Sequence, residues 1–206
     1  MAMRTVLLII SLGVITACTK NWPLQITEVG KYEVELRLDR PSSEALSLRG
    51  MTLTWEGQNG VVGTVDLGLF PGTLVGGNFM IVWEDAGHSG APEAARYSGG
   101  RNGYVDGIKV PAGFFNSIDT GAGMVSVSGS RTNALVVTHR VSDLVRFGSP
   151  TTNRPAGRGS FADTGVLGPP TGSAGPQRRW NSGSPVDTNS EDDWTYGVNS
   201  WGVETP

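Results

Sequence analysis

Short segments in which apolar and polar residues alternate occur along most of the chain, and turn residues separate them. The clearest is residues 32–38, where every second residue is apolar and the residues between them are charged. A period of two is typical of a β-strand with one buried face and excludes an amphipathic helix. Residues 24–29 have the same pattern, and short apolar segments bounded by turn residues predict further strands at residues 46–55, 61–67, 78–83, 104–110, 114–118, 124–128, 134–138 and 143–147. Of these, residues 78–83 are apolar on both faces, which predicts a central strand.

Turn and loop signals lie between these segments. Residues 57–60, Gly-Gln-Asn-Gly, predict a tight hairpin. Residues 84–103 are mainly Gly, Ala, Pro and charged residues and predict a long loop, and residues 149–176 are too poor in apolar side chains to fill a core, which predicts a flexible excursion. With 30 glycines and 12 prolines in 206 residues, the sequence predicts an all-β fold with long Gly/Pro-rich loops.

The first eighteen residues form a segment of another kind. Arg4 lies in a short cationic start, a mainly apolar run follows, and Ala17 and Cys18 end the segment. This order is typical of a secretion signal, and the apolar run is shorter than the roughly 20 residues of a membrane-spanning helix. Residues 15–18, Ile-Thr-Ala-Cys, resemble the lipobox that a bacterial lipoprotein signal peptidase cleaves. We therefore expect cleavage between Ala17 and Cys18, which removes residues 1–17.

The lipobox resemblance implies a covalent lipid on Cys18 and an acylated new N-terminus, so the membrane is an expected partner through this anchor. Two or three acyl chains hold a protein at a membrane far more firmly than one. Residues 18–23 are then a lipidated tether and residues 24–206 an exported domain. Thr19 after the cysteine is typical of outer-membrane lipoproteins in Gram-negative cells, which predicts an outer-membrane or cell-surface location. The alternatives are a secreted protein with a free thiol and an uncleaved anchor helix.

Several segments, taken in order, resemble the lamin tail domain, an immunoglobulin-like β-sandwich that also occurs in many exported bacterial proteins. Residues 46–53 carry its spacing of leucine, glycine, large apolar residue and leucine; residues 70–82 are similar to its proline-glycine loop and following strand; and residues 143–148 are similar to its Asp-x-Val-x-aromatic-Gly strand. The resemblance implies an immunoglobulin-like sandwich from about residue 24 to residue 194.

Two features depart from the family pattern: the excursion at residues 149–176 is longer, and Met51 stands where a tryptophan is common. Near the end of the chain, Arg178 and Asp187 match the family's closing arginine and Asp/Asn-rich segment. A late arginine beside an acidic segment can tie a terminal strand to a sandwich through charge-assisted hydrogen bonds. The resemblance therefore implies a structural role for both residues.

Charge and composition exclude several function classes. The formal net charge is −3, whereas binding to nucleic acid by phosphate neutralisation needs a basic face, so nucleic acid is not an expected partner. Two histidines, His88 and His139, are too few for most zinc sites, and there is no nucleophile elbow or phosphate loop. We therefore expect no catalytic residues and no enzyme. A small hydrolase with an unrecognised site is kept as an alternative.

Two weaker site candidates lie near the end of the chain. The oxygen-bearing side chains of Asp187, Asn189 and Glu191 have the spacing that begins a calcium loop, but Asp192 occupies the position at which an EF-hand needs glycine. The predicted cofactors are therefore none beyond the lipid, with calcium as the weak candidate. Trp180, Trp194 and Trp201, together with Trp83, are a candidate sugar-stacking surface, and the competing interpretation is that they belong to the core.

Together these features predict a membrane-anchored cell-envelope lipoprotein that binds or scaffolds a protein or glycan partner and is not a catalyst. Loops and an exposed sheet edge are the expected binding surfaces. The alternatives are an adhesion module that depends on carbohydrate or calcium, and the small hydrolase.

Overall fold

The computed structural model describes residues 24–57, 62–115, 122–133, 136–148, 167–171, 174–186 and 191–202. They form β-strands with two short 3₁₀ turns, so the predicted all-β class is confirmed. No helix in this part of the chain is long and apolar enough to cross a membrane. The strands are β1 (Leu24–Val29), β2 (Glu33–Leu38), β3 (Ala45–Ser47), β4 (Met51–Gly57), β5 (Val62–Asp66), β6 (Thr73–Val75), β7 (Phe79–Glu84), β8 (Glu93–Gly100), β9 (Gly103–Val110), β10 (Ala122–Asn133), β11 (Val136–Gly148), β12 (Ala174–Arg178), β13 (Trp180–Asn181), β14 (Ser184–Pro185) and β15 (Trp194–Val198).

Two large sheets contain most of these strands. One has seven strands in the order β15-β12-β1-β2-β7-β9-β8, and the other has four in the order β11-β10-β4-β5. All neighbours in both sheets are antiparallel except β7 and β9, which are parallel. Two small hairpin-like sheets, β3-β6 and β13-β14, complete the described structure.

The two large sheets enclose one hydrophobic core. Leu36 and Val82 of the seven-stranded sheet belong to the same buried cluster as Trp55 and Phe147 of the four-stranded sheet. Trp55 is central because its ring centroid lies 4.7 Å from that of Phe115 and 5.6 Å from that of Phe147. Burial of such side chains is the main favourable contribution to folding in a chain that has a single cysteine.

A bulge explains the pattern of the first strand. In β1 the residues of the hydrophobic core are Leu24, Ile26 and Val29, which do not share one strict period of two. The pairing of β1 with β2 shifts register between Ile26 and Glu28. A β-bulge places one extra residue in one strand, so the side chains after it change face. Val29 therefore reaches the core, and Glu28 lies on the opposite face.

Two predictions of single elements were wrong. Residues 46–55 do not form one strand: β3 pairs with β6 and β4 pairs with β5 and β10, so the two halves lie in different sheets. Gly50 separates them with a φ of +74°, a conformation that glycine adopts without strain. Conversely, the described residues of the two segments predicted at 134–138 and 143–147 lie in one long strand, β11 (Val136–Gly148), rather than in two.

Two predicted loops contain strands. The stretch 84–103 includes β8, which pairs with β9 at the edge of the seven-stranded sheet. The stretch 149–176 includes the start of β12, a strand buried between β1 and β15; residues 149–166 lie outside the described residues. Neither strand has strong intrinsic β-propensity, so their pairing partners determine their conformation. Gly175 fits this position because a Cβ there would lie 2.0 Å from the carbonyl oxygen of Val29.

A buried ion pair joins the two large sheets near the end of the chain. Nη2 of Arg178 in β12 donates to both carboxylate oxygens of Asp143 in β11, at 2.9 and 2.7 Å. Nε of Arg178 donates to the carbonyl of Ile26, and the amide of Ile26 donates to Asp143. The guanidinium also lies 4.6 Å from the ring centroid of Trp194. A late arginine does tie a terminal strand to the rest of the fold, through Asp143; Asp187 lies outside the described residues.

Candidate functional site

The described residues do not include the predicted lipidation site. Ala17 and Cys18 lie outside them, as do Asp187 and Asn189 of the calcium candidate. The backbone of Glu191 begins a 3₁₀ turn, and its side chain is not described. Within the described ranges, no group of three His, Cys, Asp or Glu side chains is placed to hold a metal ion. Calcium binding at Asp187, Asn189 and Glu191 therefore stays a prediction.

The candidate tryptophans do not form one open surface. Trp194 is 8% exposed and belongs to the main core, and Trp201 is 6% exposed and packs with Ile81 and Trp83 on the outer face of the seven-stranded sheet. Trp180 is half-buried. The burial of Trp194 and Trp201 favours the core interpretation for these two side chains, since a sugar-stacking ring needs an accessible face.

An open groove of about 450 Å³ lies where β7 and β9 begin. These two parallel strands pair only from Ile81 and Gly107 onward, although β7 starts at Phe79 and β9 at Gly103. The first residues of the two strands are therefore not paired with each other, and the groove lies between them. Its walls include Phe70, Asn78, Phe79, Tyr104, Asp106 and Gly202.

The groove combines one exposed aromatic ring with polar side chains. Tyr104 is 70% exposed, and Asn78 and Asp106 are also exposed. Among the described residues, neither the hydroxyl of Tyr104 nor the side-chain amide of Asn78 has a hydrogen-bond partner. Asp106 accepts a hydrogen bond from Nε of Arg96 at 2.9 Å. The groove therefore presents donors and acceptors beside a ring that can be stacked upon.

Arg37 fixes one wall of this groove. Its guanidinium lies 5.7 Å from the ring centroid of Phe79 and 4.6 Å from that of Trp180. Nε of Arg37 donates to the carbonyl of Gly77, and Nη2 donates to the carbonyl of Gly183 in the turn between β13 and β14. These contacts hold the β6–β7 turn, the wall residue Phe79 and the small β13-β14 sheet in one arrangement.

Gly202 forms another wall, and it belongs to a segment that we call the C-terminal cover, residues 200–202. The cover lies over β1 and β2 and is held by two buried carboxyl groups. Glu28 accepts hydrogen bonds from the amide and hydroxyl of Ser200 and from Nε2 of Gln177. Glu35 accepts from the amide of Gly202 and from the hydroxyl of Thr27. The two carboxyl groups therefore support one side of the groove.

Burial changes the acidity of these carboxyl groups. Desolvation raises the pKa of Glu28 to about 7, against the hydrogen bonds from Gln177 and Ser200 that lower it. Desolvation likewise raises the pKa of Glu35 to about 8. Nearby, burial and the neighbouring Glu33 raise the pKa of Tyr97 to about 12. The outer face of the seven-stranded sheet thus carries acidic side chains that are substantially protonated near neutral pH.

His88, one of the two histidines, does not line the groove. His88 is in the turn after β7, where its Nε2 is 2.9 Å from the carbonyl oxygen of Ala91 and its Nδ1 is 3.8 Å from Oε1 of Glu93. Those contacts involve no nucleophilic side chain. The side chain of His139 lies outside those that the structure describes.

Comparison with known proteins gives no family assignment: no protein-family model matches the chain, and no curated protein matches it either.

The alternating pattern predicts neither the groove nor the buried carboxyl groups. The sequence signals near the groove are the Pro71-Gly72 and Gly76-Gly77 pairs, which mark the turns on both sides of β6. Tyr104 was assigned only to a strand. Glu33, Glu35 and Arg37 were placed correctly on the face opposite the core, but the pattern could not show that the C-terminal cover and the β13-β14 sheet bury that face.

Proposed function

We propose that this protein is an exported lipoprotein that is anchored through Cys18 and uses its β domain to bind a partner in the cell envelope or outside the cell. The domain is of the immunoglobulin-like, lamin-tail type, and its role is binding or scaffolding rather than catalysis. The observation that carries the binding role is the groove, an open site with exposed aromatic and polar side chains at the start of two strands of the seven-stranded sheet.

The fold assignment in this proposal rests on two features. The seven-stranded and four-stranded sheets share one core, which agrees with a sandwich architecture. The motif segment at residues 143–148 lies in strand β11, and the second half of the segment at residues 46–53 lies in strand β4, while its first half lies in β3. The likeness to the lamin tail domain is supported by the order of these segments along the chain.

The anchor and the domain are close together in the chain. β1 begins at Leu24, so a lipidated Cys18 leaves a tether that reaches at most about 20 Å when fully extended. The domain would therefore work within a few nanometres of the lipid surface, and we place it at the outer membrane or the cell surface. A partner in the envelope is within reach of such a short tether.

The anchor is tested by metabolic labelling with an alkyne-bearing palmitate in a bacterial host, comparing the native chain with Cys18→Ala. The native chain is expected to carry the label and to enter the detergent phase, and the variant is expected to lose the label. Tyr196→Ala, a change at an exposed residue of β15, is the matched control and keeps the label. Label on the Cys18→Ala protein, or native protein whose mass includes residues 1–17, would contradict the proposal.

A further inference from the structure

We infer that the groove binds a carbohydrate, with one sugar ring stacked on Tyr104 and its hydroxyl groups hydrogen-bonded by Asn78 and Asp106. This inference rests on the proposed binding function and names its ligand class. The proposed sugar site lies at the start of β7 and β9 and does not include the three tryptophans near the end of the chain.

The chemistry of the groove fits a sugar ring. A pyranose has an apolar face of C–H groups and a rim of hydroxyl groups, so it needs an accessible aromatic ring beside donors and acceptors. Tyr104 offers such a ring at 70% exposure. The Asn78 amide provides both donors and an acceptor, and the Asp106 carboxylate provides acceptors. These three side chains line one groove.

The wall of the groove that contains Phe79 is held in place before any ligand arrives, and an exposed ion pair adjoins the wall that contains Tyr104. Arg96 donates to Asp106 at 2.9 Å, and its guanidinium lies 5.8 Å from the ring centroid of Tyr104. One arginine therefore contacts both the stacking residue and the carboxylate. On the opposite wall, Arg37 packs against Phe79. Groups that are already ordered lose less conformational entropy when they bind, which favours affinity.

Other ligand classes fit the groove less well. A purely apolar ligand needs an enclosed apolar cavity, whereas this groove is open and has polar walls. A peptide that adds a strand needs a run of unpaired backbone, and on β7 only Phe79 and Met80 precede the part paired with β9. A polyanion is disfavoured by Asp106 and by the net charge of −3.

The test uses the full chain, purified in a zwitterionic detergent that contains no sugar. The probes are immobilised oligosaccharides of neutral hexoses and N-acetylhexosamines, and any retained oligosaccharide is then titrated in solution to obtain a dissociation constant. Tyr104→Ala removes the stacking ring and is expected to weaken binding about tenfold, which corresponds to about 1.4 kcal/mol. Tyr104→Phe keeps the ring and is expected to stay within about threefold of the native affinity.

Matched controls separate binding from folding. Tyr196→Ala removes another exposed tyrosine, on the β15 edge, and leaves affinity unchanged. Asn78→Ala weakens binding. The melting temperature stays at the native value, because the side-chain amide of Asn78 has no partner within the described structure.

Three results overturn the inference. The first is that the protein retains none of the oligosaccharides. Sugar binding that Tyr104→Ala and Tyr196→Ala affect equally places the ligand outside the groove. Binding of a peptide or protein that depends on Tyr104, with no sugar retained, excludes carbohydrate but leaves the proposed binding function intact. The proposed anchor fails separately, through the Cys18 labelling experiment.

Discussion

Glu28 and Glu35 lie directly opposite each other on the antiparallel strands β1 and β2, and each side chain is only 1% exposed. Like charges in such a pair repel each other, and burial removes the water that would stabilise them. The pair is tolerated because each carboxyl group has hydrogen-bond partners in the C-terminal cover. The cover and the protonation of this pair are therefore linked.

This linkage predicts that the protein loses stability as the pH rises. In the unfolded chain both carboxyl groups titrate near 4.5, whereas in the folded protein the pKa of Glu28 is about 7 and that of Glu35 about 8. The folded state therefore holds protons that the unfolded chain releases. The contribution is complete below about pH 4.5 and is lost as the pH rises through 7 and 8. Thermal melting between pH 5 and pH 9 measures it, and the melting temperature should fall across this range.

The variant Glu35→Gln isolates the contribution of one group to this pH dependence. Its amide stays uncharged, can accept from the amide of Gly202 and can donate to the hydroxyl of Thr27, so the melting temperature should fall less steeply with pH than in the native protein. Glu44→Gln, at a solvent-exposed position, is the control and should follow the native curve. Parallel curves for native protein and Glu35→Gln would contradict the predicted linkage.

The ion pair of Arg178 with Asp143 predicts a large loss of stability when one partner is removed. Arg178→Ala leaves a buried carboxylate without its bidentate donor, and Asp143→Ala leaves a buried guanidinium, so each should lower the free energy of unfolding by about 3–5 kcal/mol. Urea denaturation measures this loss. Arg178→Lys should recover only part of it, because an ammonium group cannot make the same paired hydrogen bonds to Asp143 and also donate to Ile26.

An exposed ion pair provides the comparison. Arg40 and Glu44 form a pair on the surface, 4.0 Å apart. Glu44→Ala should change stability by no more than about 0.5 kcal/mol, since exposed pairs contribute little. Equal effects of Glu44→Ala and Asp143→Ala would show that the buried pair does not tie the sheets together.

Close approach of the backbone predicts a strong effect of a single methyl group at Gly107. A Cβ at this position would lie 1.9 Å from the carbonyl oxygen of Ile81, in the parallel pairing of β7 with β9. Gly107→Ala should therefore destabilise the protein by about 1–3 kcal/mol or more. Gly87→Ala, where the nearest atom would be 3.5 Å away, is the control. Urea denaturation of the two variants should separate them, and equal midpoints would contradict this packing.

The strands that sequence could predict are those whose own pattern determines their burial. β2 and β9 alternate strongly, and the apolar residues of β7 reach the main core on one face and the Ile81–Trp83–Trp201 cluster on the other, as the central position of β7 requires. β8 and β12 were missed because most of their residues are small, charged or proline and neither strand alternates between apolar and polar positions. Their conformation depends on strands distant in sequence, and a local pattern carries no information about such partners.

The same reason explains why the groove and the carboxyl pair were missed. Glu28 lies on its face because of a bulge, and Glu35 is buried by residues about 165 positions later in the chain. An alternating pattern identifies which residues share a face, but it does not show whether that face meets solvent. The structural role of Arg178 was predictable because an arginine can form charge-assisted hydrogen bonds to a carboxylate, but the pairing with Asp143, 35 residues away, was not.

Trp201 belongs to the C-terminal cover, and we expect it to stabilise both the outer face of the seven-stranded sheet and the groove wall formed by Gly202. Its ring packs on Ile81, Trp83 and Gly30 so closely that a Cβ on Gly30 would lie 2.8 Å from it. Trp201→Ala should therefore cost about 3–5 kcal/mol in urea denaturation. It should also speed hydrogen exchange at the amides of Ser200 and Gly202, which donate to the buried carboxyl groups.

The exchange measurement distinguishes local loosening of the cover from a general loss of stability. In Trp201→Ala under native conditions, the amide of Ile26, which donates to Asp143, should stay protected while those of Ser200 and Gly202 exchange faster. Tyr196→Ala, on the nearby β15 strand, should leave all three amides as in the native protein because its hydroxyl donates to the carbonyls of Pro169 and Ala174 and not to the cover. Native exchange rates at Ser200 and Gly202 in Trp201→Ala would mean that the two carboxyl groups hold the cover without the tryptophan. In that case protonation alone would govern this wall of the groove.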